Sequence, residues 1–420
     1  MRKICLTVIG IHLLLLHAFS QVSKKDSSGF KQKRLHLDEI NLVSSYYTQS
    51  GDHSSIQGGI GSEKVTDLAN GLELQFVGWD GHSRKNTLTV GLGLDHHTAA
   101  SQAYISKTGA SKTGGTRIYP SVNWLIENEK KGAGFGLGAY YSNEYNYKSI
   151  ALDAQFIKKT NNNGEFNAKV TGYFDQVKLI YPSELIPEAT TNTSDSVIYV
   201  TTASGQREAI YPGGATSTKS STPSSPRNTY TAALSWSQVI NTRMQASIGL
   251  DGVAQNGYLG LPFHRVYFTD GKDTVEKLPS QRLKLPIGLR LNYFLGDNII
   301  LKTYYRYYID NWGIRSHTAS LEVPVKITPF FSISPFYRYY VQTSANYFAP
   351  YEQHSASDTY YTSNYALSAF SSNFFGTGIR LAPPKGIFGT HLNTLDIRYG
   401  HYAQTTDLVS DVISLNLKFK

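Results

Sequence analysis

Between residues 282 and 309 apolar and polar side chains alternate with a period of two. The odd positions of the first arm are Leu283, Leu285, Ile287, Leu289, Leu291, Tyr293 and Leu295. The even positions include Arg282, Lys284, Gly288, Arg290 and Asn292. Gly296, Asp297 and Asn298 intervene before a second arm of the same kind, Ile299 to Ile309. A two-residue period predicts extended strands with one oily and one wet face. Each arm matches the roughly 9–11 residues of a strand that crosses a bilayer. The pair reads as a transmembrane β-hairpin with lipid on one side and water on the other.

The same period recurs to the end of the chain. It predicts strands near 36–47, 70–79, 87–97, 116–126, 132–142, 147–158, 165–177, 229–240, 243–253, 282–294, 298–309, 315–327, 330–342, 365–380, 391–402 and 408–419. Connections after even-numbered strands are short. Those after odd-numbered strands are often long: 48–69, 98–115, 178–228, 254–281 and 343–364. The expected fold is all-β: an antiparallel transmembrane β-barrel of roughly 16 strands, with short periplasmic turns and long extracellular loops. Tyr46-Tyr47, Tyr140-Tyr141, Tyr304 to Tyr308 and Tyr337 to Tyr340 would form an outer aromatic belt, and Trp124, Trp236, Tyr293 and Phe419 an inner one.

The first residues change the picture of where this barrel resides. Met1-Arg2-Lys3, an apolar run to Leu16 and Ala18-Phe19-Ser20 make a secretory signal peptide over 1–20, cut near Ser20. A polar leader, 21–34, precedes the barrel, 35–420. The expected location is the bacterial outer membrane. Cys5, the only cysteine, lies in the signal, so the mature chain has no disulfide, thiolate metal site or cysteine nucleophile. No stretch approaches the roughly 18 apolar residues of a membrane helix. The mean hydropathy of −0.30 does not speak against a barrel, whose oily residues alternate with polar ones. Tyr (30 residues) and Gly (36) suit belts and close strand packing. The net charge is +9, or +7 without Arg2 and Lys3, but the charges are scattered and match no nucleic-acid motif.

Ser45-Tyr46-Tyr47, Gln49, Gly51-Asp52, Gly58-Gly59-Ile60-Gly61-Ser62-Glu63, Thr66-Asp67 and Thr98-Ala99-Ala100-Ser101 carry a resemblance. This stretch is similar to an uncharacterised family of outer-membrane β-barrel proteins of Gram-negative bacteria, a domain of unknown function. The resemblance implies a barrel over the whole mature chain and brings no substrate with it.

Candidate chemistry is thin. The loop of Gly58, Gly59, Gly61 and Glu63 lacks the lysine and helix of a phosphate loop. Its glycines suit positive φ in a tight loop folding over or into the barrel mouth. Asp95-His96-His97 with His53 has metal-ligating residue types, but neighbours on a strand point to opposite faces. Thr269 to Asp273 reads as a surface turn. No Gly-x-Ser-x-Gly elbow is present, and His391 and Asp396 have opposite parity. Neither catalytic nor cofactor-binding nor metal-ligating residues are expected, and the chain reads as no enzyme.

The sharper signal is charge. If the apolar parity faces lipid, Arg282, Lys284, Arg290, Lys302, Arg306, Lys326, Arg338, Arg398 and Lys418 point inward against Glu322 and Asp396. The N-terminal strands send in Glu73, Asp95, Asp153, Asp175 and Asp251, with Arg117, Lys169 and Arg243. One wall would be basic and the other mildly acidic. The expected function is a porin-like channel for small polar or anionic solutes. The alternative is a non-conducting scaffold or receptor that binds a ligand or partner protein through its long loops. Expected partners are outer-membrane lipid, the barrel-assembly machinery and a periplasmic or extracellular protein, with no nucleic acid and no cofactor.

Overall fold

Lys33 at the bottom of the first strand lies opposite Trp79, and from there hydrogen-bonded ladders run round to the last strand. The computed structural model describes residues 33–98, 115–180, 223–420 and the backbone of 198–201 and 207–210. The signal peptide, the leader up to residue 32 and most of loops 98–115 and 178–228 lie outside the described residues, as do Ala99 to Ser101.

The strands are β1 Lys33–Ser50, β2 Val65–Trp79, β3 Lys85–His97, β4 Gly115–Asn128, β5 Ala133–Asn143, β6 Tyr147–Lys159, β7 Gly164–Lys178 and β8 Ser224–Asn241. They continue as β9 Met244–Gly257, β10 Gln281–Leu295, β11 Ile299–Asp310, β12 Arg315–Glu322 with Val325–Thr328, β13 Phe331–Gln342, β14 Phe370–Leu381, β15 Leu392–Gln404 and β16 Val409–Phe419. The sheet has 17 hydrogen-bonded segments, two of which are the halves of β12, so the wall has sixteen strands. All pair antiparallel with their sequence neighbours. β16 closes on β1 through pairs such as Ile40 with Phe419 and Leu42 with Leu417. Closure leaves no free edge.

The break in β12 has a local cause. Pro324 has no N–H to give to the ladder, although its carbonyl still accepts from Ile300 at 3.0 Å. The β10–β11 turn uses Gly296 at φ +67°, where a side chain would be strained.

Register settles which face meets lipid. Leu291 lies opposite Ala246 and Thr303, Leu289 opposite Ile248 and Tyr305, and Leu285 opposite Ile309. These belong to one outward row with Leu234, Val170, Leu152, Leu137 and Val122. Outward Leu283, Leu137 and Leu152 are more than half exposed (58%, 57% and 56%), as an oily surface facing lipid must be. Slipping β10 by one residue would turn Arg282, Lys284 and Arg290 into that layer. Each such charge costs about 2–4 kcal/mol at the midplane and roughly 0–1 near the interfaces, so the slip costs a substantial part of a domain's stability of roughly 5–15 kcal/mol.

Three expectations shift in detail. Residues 365–369 do not open β14. Asn364 accepts the Ala366 N–H at 3.0 Å and draws Tyr365–Leu367 into a single 3-10 turn, so the strand starts at Phe370. β8 begins at Ser224, earlier than its apolar pattern, because Ser224 to Asn228 pair with β7 above the oily band. The aromatic belt is half of what was expected. Tyr46, Tyr141, Tyr305, Tyr337 and Tyr339 take the lipid parity, whereas Tyr47, Tyr140, Tyr304, Tyr308 and Tyr340 alternate with them and face the lumen.

Candidate functional site

The lumen-facing tyrosines form a collar. Tyr47 donates its hydroxyl to Gln49 (2.7 Å), Tyr340 to Gln342 (2.6 Å), Tyr402 to Gln404 (2.7 Å) and Tyr308 to Asp310 (2.7 Å). In each case the acceptor is two residues further up the same strand face, which is the spacing a strand allows. Each acceptor then engages a loop above. Gln49 donates to the Glu63 carbonyl (2.9 Å), Gln342 to that of Ala366 (3.1 Å), and Asp310 accepts from the N–H groups of Trp312 and Ile314 (3.0 Å each).

Above the collar three loops meet. The β1–β2 loop, 51–64, springs from strand one, and the β9–β10 loop, 258–280, from strand nine, half the ring away. The β13–β14 loop, 343–369, completes the group. They therefore cross the mouth as a cap. Gly58 at φ +75° and Gly59 at φ +90° bring the first loop against the others. A Cβ at Gly58 would stand 2.5 Å from the Tyr267 ring, and one at Gly59 2.8 Å from the Ser363 carbonyl. Gly61, at φ +79°, closes the same bend. His53 stacks on Tyr365 at 3.8 Å and 9°.

The buried centre of the cap is polar. Glu276 (4% exposed) accepts from the Thr362 hydroxyl and from the Leu261 N–H at 2.9 Å. His264 Nε2 lies 3.0 Å from Ser55 Oγ, and its Nδ1 lies 3.5 Å from Glu276. Arg265 donates to the Ile56 carbonyl at 2.6 Å. Ser55, His264 and Glu276 stand in the order of a hydrolytic relay. Yet His264 Nδ1 makes no hydrogen bond, Glu276 is already engaged by Thr362 and Leu261, and the lumen cavities below are not lined by Ser55. What the arrangement does is pin three loops to one another. At the neck of the first loop, Glu63 carries its N–H to the Gly51 carbonyl (2.8 Å). Partial burial pushes its carboxyl pKa up, outweighing the hydrogen bond it accepts from the His53 N–H.

Below the cap, every residue of the expected basic wall takes the lumen parity. Arg282, Lys284 and Arg290 lie on β10, Lys302 and Arg306 on β11, Lys326 on β12, Arg338 on β13, Arg398 on β15 and Lys418 on β16. Glu73, Asp95, Asp153, Asp175 and Asp251 take it on the other side. Arg243, by contrast, sits in the bottom turn between β8 and β9.

Pairing neutralises the walls unequally. Asp95 holds Arg117, Asp153 holds Lys169 (3.1 Å), Asp175 holds Arg227 (3.5 Å) and Glu39 holds Lys418 (2.8 Å). On the basic side Arg282 is taken by Asp310, Arg380 by Asp396 (3.7 Å), and Lys302 and Arg398 share Glu322 (3.2 and 2.8 Å). Among the described residues Lys284, Arg290, Arg306, Lys326 and Arg338 have no carboxylate within 4.0 Å. The acidic wall keeps only Glu73 and Asp251 open of its five. Cavities open along the basic side. One of about 430 Å³ lies beside Arg290 and Arg306, and one of about 490 Å³ beside Lys302, Lys326, Arg380 and Arg398.

The remaining candidates stay apart. His96 faces outward and contacts Thr116 Oγ1 (2.9 Å), while His97 faces inward, 3.4 Å from Glu144. His391 lies in a bottom turn near the Lys420 carbonyl (3.2 Å), away from Asp396. Asp270 and Gly271 make the turn of a small hairpin, Arg265–Tyr267 with Asp273–Val275. Among the described residues no group of three His, Cys, Asp or Glu is arranged for a metal ion.

A family described as "Protein of unknown function (DUF3570)" matches residues 83–407. That span covers most of the chain, but of the residues that carried the resemblance it includes only Thr98 to Ser101; Ser45 to Asp67 lie before it. No curated protein matches the sequence. Among solved structures the chain is similar to Pseudomonas aeruginosa OccK2 (OpdF), at 9% identity over 91% of this chain and 97% of that one, with a TM-score of 0.41. It is also similar to Acinetobacter baumannii OccAB1, at 10% identity over 90% and 95% with a TM-score of 0.43. A BenF-like porin from Pseudomonas fluorescens Pf-5 shares 7% identity over 91% and 98%, with a TM-score of 0.41.

Proposed function

We propose that this chain, which belongs to the DUF3570 family, is an outer-membrane, porin-like channel that favours small anionic solutes. The observation that carries the reading is the uneven neutralisation of the lumen. Five basic side chains on β10 to β13 remain open along one wall, whereas the open acids, Glu73 and Asp251 with Asp67 and Glu165 on the same parity, are spread over the strands opposite. A one-sided charge on a low-dielectric wall raises the local concentration of its counter-ion. Sixteen strands are enough to surround an aqueous path. The outward oily band and the N-terminal signal peptide support an outer-membrane location, with outer-membrane lipid around the barrel and the barrel-assembly machinery as its route in.

The cap favours a second reading, a barrel whose loops bind an external ligand or protein while the mouth stays shut. Liposome swelling with solutes of graded size and charge separates the two. A channel swells liposomes with small solutes, faster with anionic ones. A barrel that gives no swelling at any size sinks the channel and leaves the receptor.

A further inference from the structure

Two aromatic rings sit on the wet side of the wall. Phe336 on β13 and Phe374 on β14 both take the lumen parity, with centroids 5.2 Å apart. Glycines clear the ground beneath them. A Cβ on Gly376 would approach Phe336 to 2.8 Å, and one on Gly400 would approach Phe374 to 2.5 Å. Each ring carries a guanidinium: Arg338 lies 4.7 Å from the Phe374 centroid and Arg398 4.8 Å from that of Phe336. Arg398 is spent on Glu322 (2.8 Å), whereas Arg338 has no carboxylate within reach among the described residues. A cavity of about 270 Å³ opens between them, lined by Ser320, Glu322, Phe336, Arg338, Phe374 and Arg398 among others.

We propose that this cavity is a binding subsite for small monocarboxylates with a flat, unsaturated body. It deepens the channel reading and rests on the lumen being the solute path. Arg338 takes the carboxylate through its planar fork of N–H donors. Stacking on Phe374 holds that fork in place beforehand, so less freedom is lost on binding. The body of the ligand lies against the rings, which favour planar partners in offset or edge contact. The size of the cavity admits one ring. Lys302 and Arg398 are both taken by Glu322, so a second carboxylate loses its water without finding an open cation, and dicarboxylates are disfavoured. A halide feels the charge of Arg338 and gains nothing from the phenylalanines.

The test uses the purified full-length barrel in detergent, titrated calorimetrically with benzoate, with cyclohexanecarboxylate (equal charge, puckered body) and with phthalate. Benzoate is expected to bind at least tenfold tighter than either. Arg338→Gln should weaken benzoate at least tenfold. Lys169→Gln, which removes a cation paired with Asp153 on the opposite wall and outside the cavity, should change it less than twofold. Heat-modifiable migration confirms that each variant is folded. Equal binding of benzoate and cyclohexanecarboxylate, no loss in Arg338→Gln, or no benzoate binding at millimolar concentration overturns the proposal. Because binding is read without current, a barrel that binds benzoate but fails to conduct refutes the channel alone. One that conducts without discriminating refutes the subsite alone.

Discussion

Asp310 offers the most quantitative handle on what holds the capped wall together. Its side chain is fully buried and that of Arg282 is 14% exposed. The carboxylate takes the Arg282 Nε (2.9 Å), the Tyr308 hydroxyl (2.7 Å) and the N–H groups of Trp312 and Ile314 (3.0 Å each). Arg282 also lies 4.3 Å from the Trp312 ring. Asp310→Ala strands a guanidinium that has little access to water. Removing one partner of a buried pair costs about 3–5 kcal/mol. The residual exposure of Arg282 places the expected loss near the lower end. The double variant Arg282→Met/Asp310→Leu removes both charges; the N–H groups of Trp312 and Ile314 are unserved in both variants, at roughly 1–3 kcal/mol each, so they cancel and the stranded guanidinium makes the difference. The single variant should therefore be less stable than the double one by about 1–2 kcal/mol. Urea unfolding from phospholipid vesicles, followed by tryptophan fluorescence, reads both numbers. An Asp310→Ala barrel within 1 kcal/mol of wild type, or a double variant weaker than the single one, would refute the reasoning.

Three further outcomes concern the cap. Glu63 has a raised pKa, so what its neutral form adds to closure is complete below the ordinary carboxylate range and fades as pH rises through the raised value. Protease cleavage within 51–64 should be slower at pH 4 than at pH 7, and Glu63→Gln should remove the difference; equal cleavage of wild type at both values contradicts this. His264→Ala cuts the link between the first two loops, so hydrogen exchange in 51–64 and 258–280 should rise together, and an unchanged 51–64 speaks against the latch. Gly58→Ala adds roughly 1–2 kcal/mol of left-handed strain and a Cβ 2.5 Å from Tyr267, so loop 51–64 should become the first site of nicking while the barrel stays folded.

The wall was legible because its physics is local. Alternation fixes the face, and a misplaced charge such as Arg290 in lipid is too costly to tolerate. Hence the strand list and the inward parity of Lys302 or Arg338 could be read from spacing alone. What stayed hidden depends on contacts far apart in sequence. Asp310 has no local signature: it follows the last apolar residue of its strand, and its partner Arg282 lies 28 residues earlier. The collar has a short signature, a tyrosine two residues before glutamine or aspartate at a strand top, in Tyr47, Tyr308, Tyr340 and Tyr402. Tyr47, Tyr308 and Tyr340 read as belt only when adjacent aromatics are assigned to one face, whereas neighbours on a strand point to opposite faces. The meeting of Ser55 with His264, separated by 209 residues, follows from ring closure and from no pattern in either loop. Pairing between walls was equally invisible. Arg398 reaches Glu322 three strands away with its stem lying across Gly378, where a Cβ would come within 3.1 Å of the Arg398 Cγ.

The central claim is that the unneutralised basic wall sets what passes. The reversal potential of the purified barrel in a planar bilayer under a tenfold potassium chloride gradient tests it most directly. The account predicts a potential of the sign that marks chloride as the preferred ion, collapsing toward zero when Arg290 and Arg306 are both changed to glutamine. A potential of the opposite sign, or a barrel that inserts and passes no current, would contradict it.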